Sequence, residues 1–130
     1  NEGAYRKYRV TGFPPTPFEM GVKSVAGFGG PTRTLFVGNA MVKQVHVLYS
    51  GTVQGVGFRY TAEGIAQRLG VVGWVKNLHD GRVEIIAEAE EPLVRSFLEA
   101  IRDAFPGYIR EADVTWQSAE SRYSEFTVTF

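Results

Sequence analysis

Between residues 42 and 130 the apolar positions change period in a fixed order, and that order leaves few architectures open. Residues 42–50 are rich in β-branched side chains, with Val45, Val47 and Tyr49 on one face and His46 and Leu48 on the other. Phe58, Ala62, Ile65, Ala66 and Leu69 then recur at helical spacing, and Gly70 stands where a left-handed cap belongs. Residues 71–76 and 83–89 read as two strands, joined by a turn at His79-Asp80-Gly81-Arg82 in which Asp-Gly suits positive φ. Pro92 suits the first position of a second helix, with Leu93, Val94, Phe97, Leu98, Ile101 and Phe105 as its stripe and Pro106-Gly107 as its end. Val114 and Trp116 mark a fourth strand, and Phe126, Val128 and Phe130 alternate in a last short one. The order β-α-β-β-α-β with an extra C-terminal strand predicts an α+β, ferredoxin-like sandwich. Two helices would cover one face of a mainly antiparallel sheet.

Residues 1–40 are a different kind of chain. They hold seven of the 15 glycines and four of the six prolines, including Pro14-Pro15-Thr16-Pro17 and Gly27-Phe28-Gly29-Gly30-Pro31. No sustained period of 2 or 3.6 runs through them, so they read as turns with little surface to bury against ordering entropy. Residues 1–40 are therefore expected as a flexible N-terminal extension and 41–130 as the compact domain. A segment that docks on a partner or folds back over the domain is the other reading.

The net charge of zero hides the same division: +3 over 1–40, from five basic and two acidic residues, and −3 over 41–130, from nine and twelve. A net-acidic domain weighs against a nucleic-acid partner, whose phosphates need basic charge. The absence of cysteine excludes disulfides, zinc–thiolate sites and cysteine nucleophiles. Two histidines make a histidine-rich metal site a poor expectation. No window approaches 18 apolar residues and no continuous apolar leader is present, which gives no membrane span and no signal peptide.

The segment with most chemical content leaves the first strand and enters the first helix: Ser50-Gly51-Thr52-Val53-Gln54-Gly55-Val56-Gly57-Phe58-Arg59. Glycines let a backbone turn through positive φ and approach a ligand closely, so successive N–H groups can converge on an anion. The helix that follows adds free N–H groups and partial positive charge. Arg59 falls in its first turn, where the dipole disfavours a cation, and a planar guanidinium there suits an oxyanion. The segment lacks the Gly-Lys-Ser/Thr of a nucleotide-hydrolysing loop and the third glycine of a dinucleotide fingerprint. Residue chemistry alone leaves an ordinary glycine-rich turn with a solvated Arg equally open.

Val53-Gln54-Gly55-Val56-Gly57-Phe58-Arg59, followed by Gly73-Trp74-Val75-Lys76-Asn77, resembles the acylphosphatase family, and Asn77 stands 18 positions after Arg59 (77 − 59) as in that family. The likeness extends over essentially all of 41–130, through the Asp80-Gly81 turn, the helix after Pro92 and Tyr123-Ser124-Glu125-Phe126. It implies hydrolysis of the carboxyl–phosphate bond of a small acyl phosphate, with inorganic phosphate as product and inhibitor. It implies no metal, no cofactor and no covalent intermediate. Arg59 matches the phosphate-binding arginine and Asn77 the asparagine that orients the attacking water. Thr52, Val53, Gln54, Gly55, Val56, Gly57 and Phe58 match the phosphate-binding loop. Leu78 departs from the common vertebrate pattern, where a small hydroxyl residue is frequent, which puts any hydrogen bond from that position in doubt. No general base is evident, so the substrate phosphate is expected to take the proton.

The remaining conspicuous residues have plain readings. His46 reads as a strand residue and His79 as a turn residue; Glu88, Glu90 and Glu91 read as a solvated run before the second helix. Trp74, Trp116 and Phe126 read as core or sheet-face residues rather than base-stacking ones. The expectation is a small, monomeric, cytoplasmic hydrolase without nucleic-acid or membrane partner. A non-catalytic phosphate- or ligand-sensing module and a domain of a larger carbamoyl-transfer protein are the alternatives.

Overall fold

The computed structural model describes residues 5–12 and 42–130. The elements in chain order are β1 (Lys7–Thr11), β2 (Val42–Gly51), α1 (Phe58–Leu69), β3 (Val72–Asn77), β4 (Val83–Glu90), α2 (Glu91–Ala104), β5 (Ile109–Ser118) and β6 (Phe126–Thr129). The strands form one sheet in the order β1-β5-β2-β4-β3-β6. The four central strands pair antiparallel, and the two edge strands join in parallel, β1 to β5 and β6 to β3. Helix α1 packs over β3 and β6, α2 over β4 and β2, and the helices touch each other. The expected ferredoxin-like α+β sandwich with its extra C-terminal strand is the one observed.

Periodicity decided most of this. Phe58, Ala62, Ile65 and Ala66 are the buried face of α1, and Gly70 caps it with φ 79°, its N–H directed to carbonyls of the last turn. Val94, Phe97 and Ile101 are buried on α2, which starts with Pro at its first turn. Val45, Val47 and Tyr49 of β2 point into the same core, as the alternation required.

Gly73 shows a tighter constraint. It has φ 137°, and a Cβ built on it would lie 1.9 Å from the Ile86 carbonyl oxygen of the neighbouring strand. Its N–H donates to the Glu125 carbonyl at 3.0 Å. The glycine is where the chain leading into β6 crosses close to the β3–β4 ladder.

Three local readings change. The turn at residues 79–82 has positive φ at Gly81 alone and not at Asp80. Gly81 N–H reaches the Leu78 carbonyl and Leu78 N–H the Arg82 carbonyl, which makes a three-residue loop ending in a left-handed glycine. Glu88 is not solvated. It is 3% exposed on the outer sheet face and accepts from Gln44 Nε2 at 2.7 Å and from the backbone N–H groups of Glu120 and Ser121. A carboxylate can be buried this way because charge-assisted bonds replace its water. Phe130 lies beyond β6 rather than in it, 80% exposed.

Lys7–Thr11 lies in the stretch expected as an extension and forms the edge strand β1. Arg6 N–H donates to the Arg110 carbonyl at 2.8 Å, Val10 packs on the core and Arg9 faces Asp113 at 3.8 Å. Its alternation spans five residues, too few to stand out beside the Gly/Pro-rich sequence that follows. Lys7 and Arg9 put charge along an edge that no strand among the described residues covers, a common protection against strand pairing between molecules. The rest of the expected extension, 1–4 and 13–40, lies outside the described residues.

Candidate active site

The site is built where β2 turns into α1. A register irregularity at Ser50/Gly51 ends the regular β2–β5 ladder, and Thr52 N–H is held by the Tyr108 carbonyl at 2.8 Å. Val53 is fully buried and fixes one end of the loop. Phe58 fixes the other: its ring stacks on Phe105 with centroids 4.6 Å apart and tilts against Tyr49 at 5.2 Å. Between these anchors Gly55 and Gly57 are exposed and left-handed, φ 79° and 80°, with no atom near the position of a Cβ. The apolar anchors and the two glycines thus throw the backbone of residues 54–57 outward.

Gly57 is the N-cap of α1 and has no side chain to cap it; the first turn holds no acidic residue. Among the described residues the backbone N–H groups of Val53, Gln54, Gly55, Val56 and Gly57 have no hydrogen-bond acceptor. An uncapped helix start beside a run of free amides is a site of positive potential. Arg59 sits in that first turn, half-buried. Its guanidinium carbon lies 4.7 Å from the centroid of the Phe130 ring, and among the described residues it forms no ion pair. The face of an aromatic ring attracts the cation without neutralising it, so the guanidinium keeps its charge for another anion.

Asn77 ends β3, with its backbone paired to Val83. Its Oδ1 is buried and has no hydrogen-bond partner among the described residues. Leaving such an acceptor unpaired costs about 1–3 kcal/mol, and such exceptions in native proteins point to strain or to function. The β3–β6 register runs to Lys76 and Thr129, the residues that precede Asn77 and Phe130. Arg59 lies over the Phe130 ring. Gln54 closes the arrangement from the loop side: its Nε2 donates to the carbonyls of Leu78 at 2.7 Å and Arg82 at 2.9 Å. The loop, the first turn of α1 and the end of β3 are thereby gathered at one end of the sheet.

Local charge leaves this end open to an anion. The nearest carboxylate in the hairpin, Asp80, is tied to Arg82 through Arg82 Nε and Nη2, each at 2.9 Å. The Arg82 hydrogen bond holds the Asp80 carboxyl below the usual carboxylate range. The pair therefore carries no net charge toward the loop.

Every residue singled out in the sequence for this site falls in that one region. Two contributors carried no signal in the sequence. Phe130 was read as a strand-face residue, and the Gln54 amide was read only as part of a loop. His46 is elsewhere, on the outer sheet face with its Nε2 2.7 Å from Glu84, and His79 is exposed in the hairpin turn.

Comparison with known proteins identifies the family and the fold. The family model described as Acylphosphatase matches residues 45–128. An acylphosphatase of Methanospirillum hungatei is 42% identical over 88 residues, covering 67% of this chain and 97% of the relative. The crystal structure of acylphosphatase from Bacillus subtilis superposes with a TM-score of 0.64 at 37% identity, covering 69% of this chain and 100% of that one. Full-length HypF, in its phosphate- and nucleotide-bound form, is similar over a small part of its length. The TM-score is 0.61 at 27% identity, over 68% of this chain and 12% of HypF.

Proposed function

The chain belongs to the acylphosphatase family, and on that premise we propose that it hydrolyses small acyl phosphates to a carboxylate and inorganic phosphate. Water attacks phosphorus directly: one oxygen–phosphorus bond forms, the bond to the acyl oxygen breaks, and the acyl group leaves as a carboxylate. The loop amides of 53–57, the start of α1 and Arg59 hold the phosphoryl oxygens, where charge is stabilised by fixed dipoles. Asn77 Oδ1 accepts a hydrogen bond from the attacking water and so aims its lone pair at phosphorus. Asn is too weak a base to keep the proton, which passes to a phosphoryl oxygen.

The observation that carries this reading is the buried Asn77 Oδ1, at the same end of the sheet as a run of loop amides and Arg59, where among the described residues the oxygen has no donor, the amides no acceptor and the Arg no carboxylate. One feature alone would be a structural defect; together they supply an acceptor for water and donors for an anion. All the positive charge the reaction needs comes from the chain, so the reaction runs without metal or cofactor. The enzyme acts as a monomer in the cytoplasm on a diffusible substrate, without a nucleic-acid or membrane partner. No helix among the described residues is long and apolar enough to cross a membrane.

Hydrolysis of benzoyl phosphate, followed optically in the presence of a chelator, tests the reading. Wild type is expected to turn over at an undiminished rate with chelator present. Asn77→Ala is expected to lower kcat by about 10²–10³, the effect of losing one well-placed polar group at a reacting centre. Its inhibition constant for inorganic phosphate should stay within a few-fold, because Asn77 is not in the cradle. A variant with wild-type kcat would remove Asn77 from the mechanism.

A further inference from the structure

The two hydrogen bonds of Gln54 reach out of the loop into a hairpin that is already closed without them. Leu78 N–H meets the Arg82 carbonyl at 2.8 Å and Gly81 N–H the Leu78 carbonyl at 3.2 Å, which completes the turn. Gln54 Nε2 adds one further bond to each of those two carbonyls, using both of its protons. Both acceptors flank the same short turn, and the first is the residue directly after Asn77.

We propose that the Gln54 side chain is a positioning residue, which fixes the distance between the phosphate cradle and the water held by Asn77. The inference rests on the reading of 53–59 as the cradle and Asn77 as the water-orienting residue. The physical reason is that Asn77 Oδ1 has no partner among the described residues to hold it. Its position is therefore set by its backbone, and Gln54 is the group that ties that backbone to the loop. Both elements are anchored in the same core, and Gln54 adds a direct link between them close to the reacting atoms, where misplacement by about 1 Å costs on the order of 10²-fold in rate. The assignment separates two properties of one residue: its backbone N–H faces the anion, and its side chain sets the spacing.

Gln54→Met keeps the length and removes both donors. In the full chain, kcat for benzoyl phosphate is expected to fall about 10–100-fold, while the inhibition constant for inorganic phosphate moves by less than about threefold. In the Asn77→Ala background the same substitution should cost less than about threefold, since a group that acts through Asn77 has nothing left to position. An equal loss in both backgrounds, or an unchanged kcat in an active enzyme, overturns the assignment. Exchange of the side-chain amide protons of wild-type Gln54 reads the contact without any variant. Slow exchange of both protons is expected, and two rapidly exchanging protons would show that the strut does not form. Wild type without benzoyl phosphate hydrolysis would remove the functional reading and this inference together. An active wild type that is sensitive to Asn77→Ala but not to Gln54→Met would remove the inference alone.

Discussion

Arg59→Ala is expected to lower kcat for benzoyl phosphate by about 10²–10³ and to weaken competitive inhibition by inorganic phosphate by at least about tenfold. The two effects belong together because a single guanidinium serves ground state and transition state. It holds phosphoryl oxygens when substrate or phosphate binds, and it meets greater charge as the bond to the acyl oxygen breaks. This joint loss distinguishes Arg59 from Asn77, whose removal leaves phosphate inhibition almost unchanged. The fold should survive. Arg59 makes no ion pair among the described residues, and its contact with the exposed Phe130 ring is worth about 0.5–1 kcal/mol. Arg59→Lys restores the charge but not the planar fork and should recover only part of the rate. Initial rates and phosphate inhibition measured on the same preparations check all three statements. Unchanged phosphate inhibition in Arg59→Ala would show that the cradle works without it.

Gly73→Ala is expected to be the most damaging single methyl group in the domain. Its Cβ would stand 1.9 Å from the Ile86 carbonyl oxygen, at a φ of 137° that L-residues rarely adopt. The obstructing atom is backbone in a paired strand, so relief requires prising β3 from β4 or shifting the chain that enters β6. A loss of about 3–5 kcal/mol follows. That corresponds to a fall in Tm of roughly 15 °C or more for a domain of this size. Gly81→Ala is the matched control: its φ of 96° is also positive, but nothing lies within 4 Å of the new carbon. It should cost about 1–2 kcal/mol. Thermal melts of the two variants followed by circular dichroism make the comparison, and equal melting temperatures would show that the clash is relieved.

These two residues mark the limits of what the sequence discloses. Arg59 is conspicuous in one dimension, because a cation in the first turn of a helix runs against the dipole. Gly73 is silent there, since nothing in a string of letters says that Ile86 of the next strand crowds it. Helices α1 and α2 were legible from the 3.6 period and from Gly70 and Pro92, which depend on neighbours within one or two turns. The site loop was legible for the same reason, because its glycines and Arg59 are consecutive. Contacts between distant segments were not. Glu88 looks like part of an acidic run until residues 120 and 121 are seen to donate to it. Phe130 looks like the end of an alternation until Arg59 is found over its ring. β1 has the right alternation over five residues, but only its pairing with β5 gives that alternation meaning.

Titration of the isotopically labelled full chain with inorganic phosphate, followed by amide chemical shifts, tests most directly whether the loop, Arg59 and Asn77 form one phosphate site. The expected result is a saturable shift of the backbone amides of residues 53–59 together with the Asn77 side-chain amide. The dissociation constant should match the constant for competitive inhibition of benzoyl phosphate hydrolysis. Shifts confined to other basic positions such as Arg68 and Arg110, or none at phosphate concentrations that inhibit, would contradict the site.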